Sequence, residues 1–241
     1  VEGRQAVAEL LAAGRRQVID VWLSSDLDPA PVLERIERLA EDARVPVRRV
    51  NRVRLHAEAA TESPQGVLAH ARPLPESELD DLCRSRPGGP PPFLLAVDGV
   101  SDPRNLGALL RSAEAAGATG AVLPRHRAVH VTPTVAKAAA GAIERVPMTV
   151  VAGMPAALAR AKELGCWVVG LAGDGDRSLF DDLAVADQPV VVVVGAEGGG
   201  ISRLTRARCD LVVHIPMQGH LPSLNVSAAG ALALFEVSRR R

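Results

Sequence analysis

The chain has 241 residues, 47% of them hydrophobic and 23% charged, with 28 basic side chains against 28 acidic ones. That length holds one large or two modest domains with real cores, and the even balance excludes a protein that holds nucleic acid by bulk positive charge. No apolar run approaches the length of a bilayer span, and the three cysteines (Cys83, Cys166, Cys209) form no CxxC and share no ligand spacing with histidine, so buried thiols are expected and no metal.

The opening "VEGRQAVAELLAAGRRQ" carries acids and lacks a signal-peptide pattern, which makes a cytoplasmic location the expectation. "GRQAVAELLAAG" reads as a helix stopped by Gly14, and "VIDVWLS" as a strand. "PVLERIERLAED" has Pro31 at a helix start and a one-sided stripe of Val32, Leu33, Ile36 and Leu39. "VPVRRV" and "QGVLAHA" read as strands, with a short helix between them. Residues 1–72 are therefore a small α/β domain. Residues 73–92, rich in Pro and Gly, read as a linker with a short helix at its middle.

From residue 93 to 241 strands and helices alternate. The expected strands are "FLLAV", "GAVLP", "PMTVV", "CWVVGLA", "PVVVVVG" and "LVVHIP". The expected helices are "NLGALLRSAEAAG", "PTVAKAAAGAIE", "MPAALARAKELG", "GISRLTRAR" and "NVSAAGALALFEVSRR". Strands such as "VVVVV" are apolar on both faces, as in a parallel sheet covered by helices on each side. The fold class is α/β.

Nearly all positive charge is guanidinium, since lysine occurs only at Lys137 and Lys162. Residues 44–54, "RVPVRRVNRVR", hold five arginines and no acid, and the chain closes on three more. Arginine suits phosphate because it binds oxygens bidentately, although a solvated face explains such a cluster as well. Two tryptophans, three phenylalanines and no tyrosine make base-stacking platforms improbable. Bound RNA would be held through backbone shape and arginine.

Ligands of a parallel sheet gather at the carboxyl ends of its strands. Three loops there exceed what a turn needs. In "DGVSDPRNLGALLRSAEAAG" a turn at Asp102-Pro103 and a cap from Asn105 account for much, but Arg111, read as lying on or near the buried face, needs a partner. An ion pair with Glu114 is one answer and a functional role the other. In "VVVVVGAEGGGISRL" the spacing of Gly195 and Gly198–Gly200 is not the dinucleotide fingerprint, and Glu197 would repel a diphosphate. This loop suits hydroxyls or positive charge, unless it is only a flexible turn. In "HIPMQGHLPSLNVS" one of Ser223, Asn225 and Ser227 caps the last helix, and three such residues exceed what a cap needs.

Together "DPRNLGALLRSAEAAG", "VVGAEGGGIS" and "IPMQGHLPSLNVSAAGALALFE" resemble the three signature motifs of the SpoU/TrmH-type RNA ribose 2′-O-methyltransferases, of the SPOUT superfamily. The N-terminal "GRQAVAELLAAG" and "ESPQGVLAHA" resemble the L30e-like substrate domain of the branch that methylates a guanosine of 23S rRNA. The resemblance implies a SPOUT domain with a C-terminal trefoil knot, S-adenosyl-L-methionine as methyl donor, an RNA substrate, and a homodimer. It implies no membrane or DNA partner. Gly195, Ile215 and Leu224 match donor contacts, with Met217 nearby; Asn105, Arg111, Glu197, Ser223 and Asn225 match catalytic positions, and Ser223 and Asn225 also lie by the donor. His220 and Pro222 stand where relatives vary. The family's base is assigned to the arginine, yet a guanidinium keeps its proton in nearly any protein setting. Gripping the phosphate beside the target ribose is the more economical role for Arg111, and shaping the loop that of Glu197. A tRNA methyltransferase, an rRNA-methylating resistance enzyme and a catalytically silent RNA-binding protein share the same motifs.

Overall fold

The computed structural model describes residues 1–126, 128–181 and 183–241. In chain order its elements begin α1 (Arg4–Ala13), β1 (Val18–Ser24), α2 (Pro31–Asp42), β2 (Val47–Val50), α3 (Arg52–Glu58), β3 (Val67–Ala71) and α4 (Leu79–Cys83). There follow β4 (Phe93–Asp98), α5 (Pro103–Ala115), β5 (Gly120–Pro124), α6 (Pro133–Ala138), a 3-10 turn (Ala142–Glu144), β6 (Met148–Val151) and α7 (Met154–Glu163). The last are β7 (Trp167–Leu171), β8 (Arg177–Ser178), β9 (Val190–Gly195), α8 (Arg203–Arg206), β10 (Leu211–His214) and α9 (Val226–Arg239). These elements form two compact units, Val1–Pro75 with Val131–Arg145, and Glu76–His130 with Val146–Arg241.

The first unit carries a three-stranded sheet in the order β2-β1-β3, with β1 parallel to β2 and antiparallel to β3. Gly14 ends α1 in the left-handed conformation, as its position promises. The apolar stripe of α2 buries Leu33, Ile36 and Ala40 against Val7, Leu10, Val21 and Leu23.

Residues 131–145 belong to this unit, which alters the boundaries expected at 72 and 93. The cause is a pair of carboxylate clamps. Arg16, nearly buried, donates to both oxygens of the buried Glu144 at 3.0 and 2.5 Å, and Arg145 donates to Glu9 at 2.9 and 2.6 Å. Removing one partner of the buried pair would strand a charge, at a cost of about 3–5 kcal/mol. The single helix expected over 133–144 is accordingly broken. Ala140 and Gly141 both adopt positive φ, and a Cβ at Gly141 would overlap the side chain of Glu9.

The second unit is built on a seven-stranded, wholly parallel sheet, β6-β5-β4-β9-β7-β10-β8. Every residue of the central β9 is buried, as its unbroken apolar run requires. Six strands were expected; the seventh, β8, is a two-residue edge strand whose existence depends on pairing with β10. The stretch read as a linker is part of this unit from Glu76 onward. Ser77 N–H donates to the Met148 carbonyl at 2.8 Å, and Leu82 and Cys83 of α4 enter the core beside Leu94 and Val122. The helix expected over "GISRLTRAR" shortens to the single turn α8, capped by Ser202.

The chain leaves β4 towards β5 and β6 on one side, while β9 and β7 lie on the other. This reversal opens a crevice at the carboxyl ends of β4, β9 and β7. Strand β10 inserts between β7 and β8, which follow one another in the chain, and α9 then returns to pack on α5 and β9. The C-terminal arginines fasten that return through hydrogen bonds of their own, although Arg239 and Arg241 stay exposed. Arg239 and Arg240 hold Glu236, Arg240 donates to the carbonyls of Phe180 and Asp181, and Arg241 to those of Pro91, Ala186 and Gln188. The hydrogen bonds from Arg239, and then from Arg240, keep the Glu236 carboxyl down at about 2, although its burial pushes the other way. Among the described residues no helix is long and apolar enough to cross a membrane.

Candidate active site

The loop after β4 begins with Asp98, whose carboxylate accepts the Ser202 N–H at 2.9 Å and so ties the first loop to the second. The cap of α5 is Asp102, which accepts from Arg104 N–H at 2.7 Å. Asn105, expected as the cap, sits in the first turn instead and its side chain is free for other work.

The loop after β9 closes on itself. Ala196 and Gly200 exchange both backbone hydrogen bonds at 2.9 Å, leaving Glu197, Gly198 and Gly199 as a three-residue tip. This closure presses the Gly200 backbone onto Gly195, where a Cβ would overlap the Gly200 carbonyl carbon. Glycine at 195 is thus required by close approach, not by flexibility.

The loop after β10 runs exposed from residue 217 to 225 and ends at Asn225, which caps α9 by accepting from Ser227 N–H at 2.9 Å and Ser227 Oγ at 2.6 Å. Of the three capping candidates, Asn225 is the one used. That leaves Ser223 free of capping duty, with no histidine or carboxylate partner among the described residues. A hydrolytic Ser–His arrangement is therefore not built here.

Asn105 joins all three loops. Its Nδ2 donates to Glu197 Oε1 at 2.7 Å, and its Oδ1 accepts from Asn225 Nδ2 at 3.1 Å. Elimination fixes the amide orientations. An ionised carboxylate only accepts, so Asn105 must turn its NH2 to Glu197 and its oxygen to Asn225. Asn225 must then donate through its NH2, which leaves its oxygen for the cap.

Behind this relay lies a cleft of about 760 Å³, walled by the ends of β7 and β9 and by the loop before α9. Such a volume suits a small molecule. Gly195, Ile215, Met217, Ser223, Leu224 and Asn225, the residues matched to donor contact, all line it, as does Glu197. Leu171, Ile215 and Leu224 give the lining an apolar part, and Glu197 is a carboxylate not offset by an arginine there, since Arg206 pairs with Asp174; this favours a ligand with an apolar part and a positive charge.

Arg111 is not brought to this place. The buried stripe of α5 is Leu106, Leu109, Leu110 and Ala113, and Arg111 is exposed on the opposite face with Arg104. It makes no ion pair with Glu114. Along a helix, six residues separate it from Asn105 by about 9 Å and about 120° of rotation. Arg111 is not among the residues that line the cleft of its own chain.

The SpoU rRNA Methylase family model matches residues 92–235, more than half of the chain. The chain belongs to the SpoU rRNA methylase family. Its first 77 residues match the model for RNA 2′-O ribose methyltransferase substrate binding. This SpoU methylase is 40% identical to the 23S rRNA (guanosine-2′-O-)-methyltransferase RlmB of Pseudomonas aeruginosa, over 100% of this chain and 96% of that protein. The Pseudomonas putida protein of the same name is 39% identical, over 100% and 96%. In fold the chain is similar to the SpoU methyltransferase AviRb of Streptomyces viridochromogenes, solved in complex with AdoMet, with TM-score 0.81 and 24% identity over 100% of this chain and 89% of that one.

The SpoU methylase cleft also contains a fourth loop that the sequence reading passed over. Arg206 of α8 binds Asp174 after β7 through Nη1 at 2.6 Å, and donates to the Asp174 carbonyl at 3.2 Å; both residues line the cleft. The guanidinium holds the Asp174 carboxyl below its ordinary range. The signal was present in "LAGDGD", another Gly/Asp turn at a strand's carboxyl end.

Proposed function

We propose that this chain transfers a methyl group from S-adenosyl-L-methionine to a ribose 2′-hydroxyl of RNA, with a guanosine of 23S rRNA as the substrate. The observation that carries this reading is the Glu197–Asn105–Asn225 relay, which ties three strand-end loops together in a SpoU family chain and fixes two residues, Glu197 and Asn225, that line one cleft. The donor supplies an electrophilic methyl on a cationic sulfur. Gly195, Ile215, Met217 and Leu224 bind it, by close backbone approach at the glycine and apolar contact at the others. Glu197, locked by Asn105, sets a negative charge at the rim and holds the loop in shape. Ser223 and Asn225 lie where the attacking oxygen must be aligned and lose its proton.

Arg111 grips the phosphate beside the target ribose, and it does so from a second copy of the chain. Support comes from α9, where Ala228, Leu232 and Phe235 form an exposed apolar stripe at helical spacing, Leu232 being 41% and Phe235 50% exposed. A homodimer that covers this stripe gives light scattering at the mass of two chains rather than 25.3 kDa. The insertion of β10 between β7 and β8, followed by the return of α9, supports a trefoil threading of the C-terminal segment. The site of action is the cytoplasm.

The test is methyl transfer from labelled donor to unmodified 23S rRNA fragments and, separately, to bulk tRNA, with mapping of the modified ribose. Label on a guanosine ribose of the rRNA supports the proposal. Label on tRNA alone replaces the substrate, and label on neither identifies a silent RNA-binding protein.

A further inference from the structure

The first unit has a cleft of its own that the chemistry above does not use. It measures about 500 Å³ and lies at the carboxyl end of β1, between α3 and the loop that enters β3. Its walls carry Arg4, Asp26, Arg52, His56, Glu62 and Gln65, so it is mostly polar, with Leu27 and Pro64 as its apolar part. The entering loop is fixed rather than slack. Gln65 holds a left-handed φ of 58°, uncommon for a residue with a side chain, and a Cβ at the following Gly66 would sit 2.5 Å from Leu27 Cδ2. Arg4 N–H donates to Gln65 Oε1 at 3.1 Å, and Arg4 Nε to the Gln65 carbonyl at 3.3 Å. Lys137 is anchored on the Ser63 carbonyl.

The neighbouring arginines differ in how their donors are used. Arg48 pairs with Asp20 at 3.1 Å, Arg49 pairs with Glu37, and Arg54 lies over the Trp22 ring at 5.1 Å. Arg52 and His56, one turn apart on α3, are exposed on the cleft and make no hydrogen bond or ion pair among the described residues. Free guanidinium and imidazole donors on one wall suit a phosphate. The carboxylates of Asp26 and Glu62 accept from the amino and imino groups of a base edge. Arg52 is the cleft's share of the arginine-rich run 44–54, and a phosphodiester chain that continues past the cleft can use such a run where a small metabolite would not. Sequence-specific RNA recognition targets bases that are unpaired and splayed out.

We propose that this cleft receives one unpaired RNA nucleotide, its phosphate on Arg52 and His56 and its base edge on Asp26 or Glu62, and that it selects the substrate RNA. The inference rests on RNA being the substrate of the chain. It adds a specificity site in the first unit, separate from the residues that bind donor or ribose.

The experiment uses the full chain and an unmodified 23S rRNA fragment that the wild type methylates. RNA affinity is measured by fluorescence anisotropy over a range of salt, and donor affinity by calorimetry. Arg52→Glu with His56→Ala is expected to weaken RNA binding at least about tenfold, and Arg52→Ala to reduce the salt slope by about one unit. Donor affinity and thermal midpoint should not move. Arg38→Glu, the same charge change on the exposed face of α2, should alter RNA affinity less than about twofold. The proposal is overturned if the cleft variants bind RNA like wild type, or if Arg38→Glu costs as much. A wild type that neither binds nor methylates the RNA overturns the functional reading and this site with it.

Discussion

The two clefts stand at equivalent places, each at the carboxyl ends of strands in its own sheet, yet they are built in opposite ways. The larger one ties its charged and amide side chains to one another: Asn105 bonds both Glu197 and Asn225, and Arg206 is spent on Asp174. The smaller one leaves Arg52 and His56 without a hydrogen bond or close ion pair among the described residues, with Asp26 as a nearby opposite charge. A site for alignment chemistry must be rigid before its ligand arrives, because reorganising charges at the moment of reaction costs rate. A site that grips a polyanion needs only unpaired donors in the right row. The difference therefore divides the molecule's work into chemistry in one unit and selection in the other.

That division can be broken most severely at Gly195. Gly195→Ala forces a Cβ into the Gly200 backbone, and the expected loss of donor affinity is at least ~100-fold, about 3 kcal/mol, read by calorimetry. RNA affinity should persist. Next is Asn105→Ala, which releases both Glu197 and Asn225 and should lower kcat/KM by about 10- to 100-fold with little change in the thermal midpoint. Asn105→Asp sharpens this test, since it sets a carboxylate against Glu197 and should be worse than alanine. Smaller still is Arg241→Ala, which frees three carbonyls at the C-terminal fastening. It should cost about 1–3 kcal/mol of stability in urea melts and leave RNA affinity alone. The smallest effect is one of pH. The Glu236 carboxyl is held at about 2 against an ordinary 4.5. Its contribution is fully present above 4.5 and is lost as pH falls through 2. Urea midpoints of Glu236→Gln should lack that acid-side decline.

Much of this was legible in the residues. The apolar runs of the central strands placed the sheet, and polar excess at strand ends placed the three loops that Asn105 joins. What escaped depends on contacts between distant segments. "PTVAKAAAGAIE" is alanine-rich and breaks at Gly141, a weak helix former, where the side chain of Glu9 packs against the glycine. Strand β8 is two residues that pair because β10 arrives beside them. The two arginine-rich stretches look alike in sequence, but the C-terminal one is consumed by carbonyls and Glu236 while Arg52 is not. Arg111 is a different kind of miss: counting helix turns from Leu106, Leu109, Leu110 and Ala113 already puts it outward. The cap of α5 was open to the same reasoning, because Asp102 stands directly before Pro103.

The most direct test is titration of S-adenosyl-L-methionine into the folded protein, followed by calorimetry. Saturable uptake of one donor per chain, abolished by Gly195→Ala and retained by Arg52→Ala, is the required result. A well-folded wild type that takes up no donor contradicts the assignment of the larger cleft.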